Sequence, residues 1–391
     1  MLRLGDPSPT LDAVRKLALQ IVAGADETEQ KRAIPPPLVD GLREAGIFRM
    51  LVPKRFGGSE LTEAQAVAVI EELASADAAA AWTAMVAFGF NVVLARFPRE
   101  TVEEIYSGGP DVPLRGALAP IGTATSTKGG YIVSGRWPFA SGPFKPKWIV
   151  AGCVVIHDGK PRMGPMGPET RVVVLPASSA GFLDTWHSVG LRGSDSCDFE
   201  LKEAFVPEAF AVNLFDFSRP QVYGLPLFNL PFPLITAPTH SAVCLGIVRA
   251  TLDELGVLAR TKRSAFNPSQ TMGEYPVFQH RFGELAARYA AIEALTELQV
   301  RDLMRMAAAD EPASALTLSR NGTWVGYVHA QAVDIVNEAF SLAGSTPVYS
   351  KSPMQRRWRD VRVAAQHHGG STAQYAVYGG MLAGQQPRVG L

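Results

Sequence analysis

Two neighbouring histidines near the C-terminus are the residues of this sequence best suited to proton chemistry near neutral pH. His367 and His368 follow Asp360 by seven and eight positions and precede Gly369. No carboxylate side chain occurs in the sequence after Asp360. An imidazole can hold a phenol or an amine and exchange a proton with it close to neutrality. The simpler interpretation is a pair of surface or core histidines.

A serine hydroxyl among aromatic side chains is the second candidate for chemistry. Residues 129–142 read GGYIVSGRWPFASG, and this stretch contains Trp137, Phe139 and Ser141. By itself the stretch indicates a β-hairpin with core aromatic residues and a serine in a turn.

Further residues suit the binding of phosphate or of a ligand at a loop. Residues 186–196, WHSVGLRGSDS, form a glycine-flanked loop, and small residues also follow Gly344. A guanidinium group can donate two hydrogen bonds to phosphate oxygens, and small residues let backbone amides approach a phosphate. Taken singly, these signals also fit a plain turn or a solvated charge at a helix end. The candidates of these types are Arg192, Ser194, Arg263, Ser345 and Thr346.

Three stretches with different residue patterns must position these residues. Residues 1–110 have helical periodicity, residues 111–215 contain short runs rich in Val, Ile, Tyr and Trp, and residues 216–391 are helical again. We therefore predict a helical domain, a β domain and a helical bundle with these boundaries.

Within these stretches the sequence predicts individual elements. A helix follows the prolines at 35–37 and ends near Gly46, and one or two long buried helices span 62–91. Four long helices are expected at 240–261, 275–307, 313–343 and 355–384. Gly129 and Gly130 predict the turn of a hairpin.

Composition narrows the class of protein. Lys and Arg number 37, as do Asp and Glu, so no excess of positive charge points to nucleic acid. Three widely spaced cysteines indicate neither disulfides nor a zinc site, and no signal peptide or membrane span is evident. We therefore expect a soluble cytoplasmic protein without a metal. Dinucleotide and P-loop fingerprints are absent from the sequence, so reducing equivalents should come from a separate protein.

The two stretches at 129–142 and 186–196 resemble the acyl-CoA dehydrogenase superfamily, and within it the two-component flavin-dependent monooxygenases of group D. The second stretch is similar to the family pattern W…GLRGTGS, with Ser194 in place of the usual threonine and Asp195 in place of a glycine. The resemblance runs from the loop at 53–58 to residues 359–368 and so covers nearly the whole chain.

The resemblance implies an α+β fold, mostly α, with an N-terminal helical domain, a middle β-barrel and a C-terminal four-helix bundle. It also implies a homotetramer that binds FMN or FAD. Arg263 and Gln279 would reach the phosphate end of a flavin held by a neighbouring subunit. The flavin-binding residues implied are Trp137, Phe139, Ser141, Arg192, Ser194, Arg263, Gln279, Ser345 and Thr346.

Catalytic roles also follow from the resemblance. The Ser141 hydroxyl would supply a hydrogen-bond donor near flavin N5, because oxygen activation needs a donor there and walls that exclude water. His367 lies seven positions after the aspartate, as the active-site histidine of the monooxygenases does, and would orient and deprotonate the substrate. The substrate pocket implied consists of Trp82, Phe88, Asn91, His240 and His368.

The implied activity is hydroxylation of a small aromatic or amine substrate with O2. Reduced FMN or FADH2 would come from a separate NAD(P)H:flavin reductase. One alternative is an acyl-CoA dehydrogenase or a related flavin oxidase, which would need a carboxylate base where His367 and His368 stand. Another is a scaffold of the same fold without catalysis, although the flavin loops remain largely in pattern.

Overall fold

The computed structural model describes residues 7–142, 145–164, 167–218, 220–264 and 266–385. Helices make up the beginning and the end of the chain, and strands make up the middle. The α+β class and the order helical, β, helical are therefore confirmed, while the domain boundaries given above stay a prediction. Within those ranges no helix is long and apolar enough to cross a membrane.

The N-terminal helices begin at the capping signals that the sequence provides. Ser8 accepts a hydrogen bond from the backbone N–H of Leu11, and Thr62 forms a capping box with Gln65. The six helices are α1 (Pro9–Ala23), α2 (Ala25–Lys31), α3 (Pro36–Glu44), α4 (Glu63–Ala76), α5 (Ala78–Leu94) and α6 (Arg99–Ile105). Nearly every side chain of α5 is buried, as expected for a helix that is apolar on all sides.

The middle of the chain forms a mixed sheet and two short strands beside it. Its strands are β1 (Leu114–Thr127), β2 (Gly130–Ala140), β3 (Trp148–His157), β4 (Lys160–Pro161), β5 (Met163–Gly164), β6 (Gly167–Pro168), β7 (Thr170–Pro176), β8 (Gly181–Leu183), β9 (Cys197–Pro207) and β10 (Ala211–Val212). The order is β10-β7-β3-β1-β2-β9-β8, with β4 beside β3. β1 pairs with β3 in parallel, and the hairpin expected at Gly129–Gly130 joins β1 to β2.

The expectation of a closed β-barrel is wrong for the described residues. The sheet ends at β10 on one side and at β8 on the other, and these two strands do not pair with each other. Each is only two or three residues long. Such short strands offer few backbone groups for a closing ladder, so the sheet stays open.

Three long helices dominate the C-terminal part. Its elements are α7 (Phe232–Thr261), β11 (Arg263–Ser264), β12 (Asn267–Thr271), α8 (Pro276–Ala308), α9 (Ala315–Leu342), α10 (Pro353–Ala364) and α11 (Ala373–Leu382). The long helices α7, α8 and α9 pack on one another, and α10 and α11 pack on α9.

Two boundaries of the expected four-helix bundle differ from the prediction. α7 begins at Phe232, before the expected start at residue 240, because Pro231 and Pro233 lie at its N-terminus, where proline is tolerated. Pro238 lies inside the helix, and the neighbouring Thr239 hydroxyl donates to the carbonyl of Thr236 at 2.7 Å.

The expected last helix, 355–384, is divided into α10 and α11 by a short turn that contains His367. The turn lies against α9 because Gly370 has no side chain. A Cβ atom at Gly370 would lie 1.9 Å from Nδ1 of His329. This close approach brings the segment after α10 into contact with the interior of the bundle.

α10 is also fixed to the loop at 186–196. Asp360 Oδ1 accepts the backbone N–H of Leu191 at 2.7 Å, and Arg359 Nη1 donates to the carbonyl of Val189 at 2.6 Å. A Cβ atom at Gly190 would lie 2.5 Å from the carbonyl oxygen of Arg359, so only glycine allows this packing. The neighbouring residues Arg359 and Asp360 thus join the sheet domain to the bundle.

We expect Gly370→Ala to destabilise the protein by roughly 1–3 kcal/mol, because the added methyl group overlaps the His329 ring. Urea unfolding gives the free energy of unfolding. Gly379→Ala is the matched control, since this glycine also lies in the C-terminal segment and a Cβ atom added there would meet no described atom within 4 Å. The control should be neutral or slightly stabilising. Equal losses in both variants would contradict the packing described here.

Candidate active site

Ser141 lies directly after the last residue of β2 and is only 3% exposed. Its hydroxyl accepts a hydrogen bond from the indole N–H of Trp82 at 3.2 Å. On its other side it lies 2.7 Å from the hydroxyl of Ser196. Ser141 therefore connects α5 of the N-terminal domain with the loop that precedes β9.

The buried Arg115 of β1 holds these two segments together. Its guanidinium donates from Nε and Nη2 to the carbonyl oxygen of Ala140, at 3.0 and 2.8 Å. Nη2 also donates to the backbone carbonyl of Asp195 at 2.5 Å, and Nη1 forms an ion pair with the Asp195 carboxylate at 3.1 Å. Because a buried charge must be paired, this arginine fixes the spacing between Ser141 and the loop at 194–196.

The hydroxyl contacts continue beyond Ser196. Its oxygen lies 2.7 Å from the hydroxyl of Ser194, which donates to the carbonyl of Leu191 at 2.8 Å. Ser194 is fully buried, so its side chain does not reach a ligand. Its contribution to the site passes through Ser196.

Phe139, two positions before Ser141, is an exposed aromatic residue. Its φ of 65° is rare for a residue with a large side chain and turns the ring out of the sheet. The ring is 64% exposed and meets Trp186 edge-to-face at 6.2 Å. An exposed aromatic ring beside a buried hydroxyl forms a partly apolar, partly polar edge. This combination fits a flat heteroaromatic group such as the ring of a flavin.

Trp82 also contacts two histidines. Its ring lies edge-on to His367 at 5.5 Å and to His240 at 6.3 Å between centroids. The two imidazoles stack on each other at 4.4 Å. Trp82 therefore contacts both the Ser141 hydroxyl and the histidine pair. His240 comes from α7, whereas His367 comes from the turn after α10.

His329 of α9 completes the histidine cluster from behind. Its Nε2 lies 3.3 Å from the carbonyl oxygen of His240, and the two rings are 6.4 Å apart. Its Nδ1 and the Nδ1 of His240 have no hydrogen-bond partner among the described residues.

The tautomer of neutral His367 follows from its hydrogen bond. The backbone N–H of Gly369 donates to Nδ1 of His367 at 3.1 Å. Nδ1 therefore carries a lone pair, and the hydrogen of the neutral ring is on Nε2. His367 is an exposed residue, so this N–H can be offered to a ligand.

All three imidazoles favour the neutral form. Burial lowers the pKa of His240 well below its usual range, with the other two histidines adding to the effect. Burial lowers the pKa of His329 to about 4. Crowding by neighbouring atoms, which desolvates the ring, lowers the pKa of His367 to about 4, and His368 acts in the same direction.

Several residues expected at the site lie elsewhere. Trp137 is fully buried in the sheet, where it stacks on Phe199 and donates to the carbonyl of Gly152. Trp137 and Phe139 would share a face of a regular strand, but the register between β2 and β9 shifts after Trp137 and the positive φ of Phe139 turns that ring away. Trp137 thus packs the core and does not line the site.

The remaining pocket candidates divide between the core and the surface. Phe88 is fully buried among core residues. Asn91 is buried and donates to the carbonyl of Phe48 at 3.4 Å. His368 is exposed. Arg192 is half-buried, and its Nε donates to the carbonyl of Glu29 at 3.2 Å.

The candidates for phosphate binding lie on the surface at one end of the bundle. Arg263 is exposed and donates to the carbonyls of Pro268 and Ser269, while the exposed Gln279 donates to the carbonyl of Gly273. The loop with Ser345 and Thr346 is tied to the end of α7, because Lys262 donates to Thr346 Oγ1 at 2.9 Å.

Three residues of the cluster were not singled out from the sequence. Ser196 ends the glycine-flanked loop at 186–196, and its position two residues after Ser194 is the signal that the sequence offers. Arg115 and His329 gave none, since a single arginine in a strand and a single histidine in a helix occur in most proteins of this size.

Family models match both helical parts of the chain. The acyl-CoA dehydrogenase N-terminal domain matches residues 9–107, and the acyl-CoA dehydrogenase C-terminal domain matches residues 238–372. Together they cover more than half of the chain, which therefore belongs to the acyl-CoA dehydrogenase superfamily.

Individual relatives narrow the family. The chain is 30% identical to an indole-3-acetate monooxygenase of Pseudomonas putida, over 93% of this chain and 91% of the relative. It is also 30% identical to the oxygenase component of an FADH2-dependent resorcinol hydroxylase of Rhizobium sp., over 88% and 86%. XiaF from Streptomyces sp., solved with FADH2 and glycerol, superposes with a TM-score of 0.88 at 25% identity, over 97% and 96%. Within the superfamily, the chain is a flavin-dependent monooxygenase.

The buried His329 predicts how stability changes with pH. Between about pH 6.5 and 4 the unfolded chain binds a proton at His329 that the folded protein does not, so stability falls as the pH is lowered through this range. Between pH 7.5 and pH 5 the free energy of unfolding should fall less in His329→Gln than in wild type, by roughly 1–2 kcal/mol. Chemical denaturation at both pH values measures it, with the exposed His280→Gln as control. An unchanged pH dependence in His329→Gln would contradict the assignment.

Proposed function

We propose that this monooxygenase takes reduced FMN or FADH2 from a separate reductase and uses O2 to hydroxylate a small aromatic or amine compound. One observation carries this proposal. The indole of Trp82 contacts both the Ser141 hydroxyl and the stacked His240 and His367. A group that suits a flavin and a group that suits a substrate are thus held one side chain apart.

The flavin would lie against Phe139 and Ser141. The exposed face of Phe139 offers stacking, and the Ser141 hydroxyl offers a hydrogen-bonding atom for N5. Arg192 lies on the same loop as Ser194 and Ser196. When bound, reduced flavin supplies the two electrons that this reaction needs, so that one oxygen atom of O2 enters the product and the other becomes water.

His367 would hold the substrate as a hydrogen-bond donor. Its Nε2–H points away from Gly369, which occupies Nδ1, and its low pKa keeps the ring neutral at physiological pH. A neutral ring with this tautomer donates to the oxygen of a phenol or phenolate. The expectation that His367 removes a proton from the substrate would require the hydrogen to be on Nδ1, so we assign it an orienting role.

The apolar surroundings would keep water out of the reaction. Trp82 is 8% exposed, and His240 is almost as deeply buried. Hydrogen bonds and dipoles act more strongly in such a site than in water.

A neighbouring copy of the chain would complete the flavin site. Arg263, Gln279, Ser345 and Thr346 lie at one exposed end of the bundle, and the fully exposed Phe266 follows Arg263 three positions later in the sequence. The Arg263 guanidinium could donate two hydrogen bonds to phosphate oxygens of a flavin held by a second copy of the chain. A homotetramer would place this end against the flavin of another subunit.

An aromatic substrate fits the site better than an acyl thioester. Oxidation at the α-carbon of a thioester needs a strong base, and the position expected for it holds a neutral histidine. The relatives named above act on indole-3-acetate and resorcinol, both of which carry an aromatic ring with polar substituents.

We expect His367→Ala to lower product formation at least tenfold, about 1.4 kcal/mol of transition-state stabilisation, without changing the affinity for FMN. His367 contacts the Trp82 ring and is proposed to hold the substrate and not the flavin, so flavin binding should not depend on it. Product formation is measured with reduced FMN, O2 and a panel of phenols and indoles. The exposed His280→Ala serves as control. A loss in His368→Ala without one in His367→Ala would show that the wrong histidine was assigned.

A further inference from the structure

We propose that Ser196 and Ser194 are positioning residues that turn the hydrogen of Ser141 away from the flavin, so that Ser141 offers flavin N5 a lone pair. The inference rests on the proposed placement of the flavin beside Ser141. Ser196 lies 2.7 Å behind Ser141, and the fully buried Ser194 lies 2.7 Å behind Ser196, so we infer that both act through Ser141.

Ser141, Ser196 and Ser194 form a chain of serines through two hydroxyl contacts, and the direction of the hydrogen bonds is fixed at both ends of this chain. A serine hydroxyl has one hydrogen to donate and can accept two. Ser194 lies 2.8 Å from the carbonyl of Leu191, which can only accept, so the hydrogen of Ser194 is used there. At the other end, the indole N–H of Trp82 can only donate, so Ser141 accepts from it.

The two inner contacts then have a single assignment. Because the hydrogen of Ser194 is already used, Ser196 must donate across the 2.7 Å contact between them. The hydrogen of Ser196 is then used as well, so Ser141 must donate across its own 2.7 Å contact with Ser196. Ser141 is left with one free lone pair and no free hydrogen.

The surrounding backbone keeps this arrangement in place. Leu191 and Asp195, on either side of Ser194, have positive φ values of 50° and 45°. The backbone N–H of Gly142 donates to the carbonyl of Ser194 at 2.9 Å, and Arg115 binds the carbonyls of Ala140 and Asp195. Since the hydroxyls are buried, each must find its partner within the protein.

This orientation distinguishes the two redox forms of a flavin. N5 of reduced flavin carries a hydrogen and can donate to the free lone pair of Ser141. N5 of oxidised flavin only accepts, so Ser141 would have to give it its hydrogen. Ser196 and Ser194 would then both have to reverse, and the bond to Leu191 would be lost. The complex with oxidised flavin therefore has one hydrogen bond fewer, which favours capture of the reduced form and release of the oxidised form.

Removing either hydroxyl should weaken this preference. In Ser196→Ala the hydrogen of Ser141 has no acceptor when N5 donates, and in Ser194→Ala the same is true of Ser196. The penalty falls on the complex with reduced flavin. We expect the ratio of the Kd for oxidised FMN to the Kd for reduced FMN to fall about tenfold in each variant. This corresponds to a midpoint potential of bound flavin about 30 mV more negative than in wild type.

Anaerobic titrations with oxidised and with reduced FMN measure this ratio. Ser188→Ala is the matched control, because its hydroxyl lies in the same loop and donates to the carbonyl of Gly190 at 2.7 Å, outside the chain of serines. Ser196→Thr keeps the hydroxyl and should retain the wild-type ratio. Wild-type ratios in both alanine variants, or an equal fall in Ser188→Ala, would overturn the proposal.

A second measurement needs no flavin. Neutron diffraction from the deuterium-exchanged protein should show the deuterium of Ser141 on the line to Ser196 Oγ. A deuterium directed elsewhere would overturn the positioning role even if FMN binds. A correctly directed deuterium in a protein that binds FMN in neither redox state would instead refute the proposed function, and with it the redox preference.

Discussion

The site depends on the single hydrogen of the Trp82 indole, which can only be donated and which goes to Ser141. Trp82 belongs to α5 of the N-terminal helices, Ser141 to the end of β2, and His240 and His367 to the helical bundle. The hydrogen bond and the ring contacts of one side chain thus join all three parts of the chain. A shift of α5 against the sheet would separate the hydroxyl from the imidazoles.

A second set of contacts holds the sheet domain and the helical bundle together. The loop that carries Ser194 and Ser196 is tied to α10 by the hydrogen bond from Leu191 to Asp360 and by the close packing of Gly190. Burial raises the pKa of the Asp360 carboxyl to about 7, and the nearby Asp77 adds to the effect. α10 leads directly into the turn with His367. The same helix therefore positions both the loop with Ser194 and Ser196 and the imidazole of His367.

Much of this arrangement was predictable from the sequence, and the parts that were not have physical reasons. Ser141, His240, His367 and Trp82 were selected separately and lie together. Ser141 directly follows a strand that the pattern locates well, and Trp82 lies in a helix that it predicts, whereas the start of the helix with His240 and the turn with His367 were not located. The face of Trp137 was not predictable, since it depends on a register shift and a positive φ at Phe139. The contact of His329 with Gly370 depends on packing between distant segments, which periodicity does not encode.

The most direct test of a flavin bound beside Ser141 is the hydrogen peroxide released per reduced FMN oxidised, with an aromatic substrate present, in wild type and in Ser141→Ala. Loss of a buried hydrogen-bonding group costs roughly 1–3 kcal/mol. The variant should therefore release several-fold more hydrogen peroxide and form correspondingly less hydroxylated product, while remaining folded. Equal release and equal product from the two proteins would contradict this placement of the flavin. So would reduction of a bound flavin by an acyl-CoA in the absence of oxygen, which would mark the chain as a dehydrogenase.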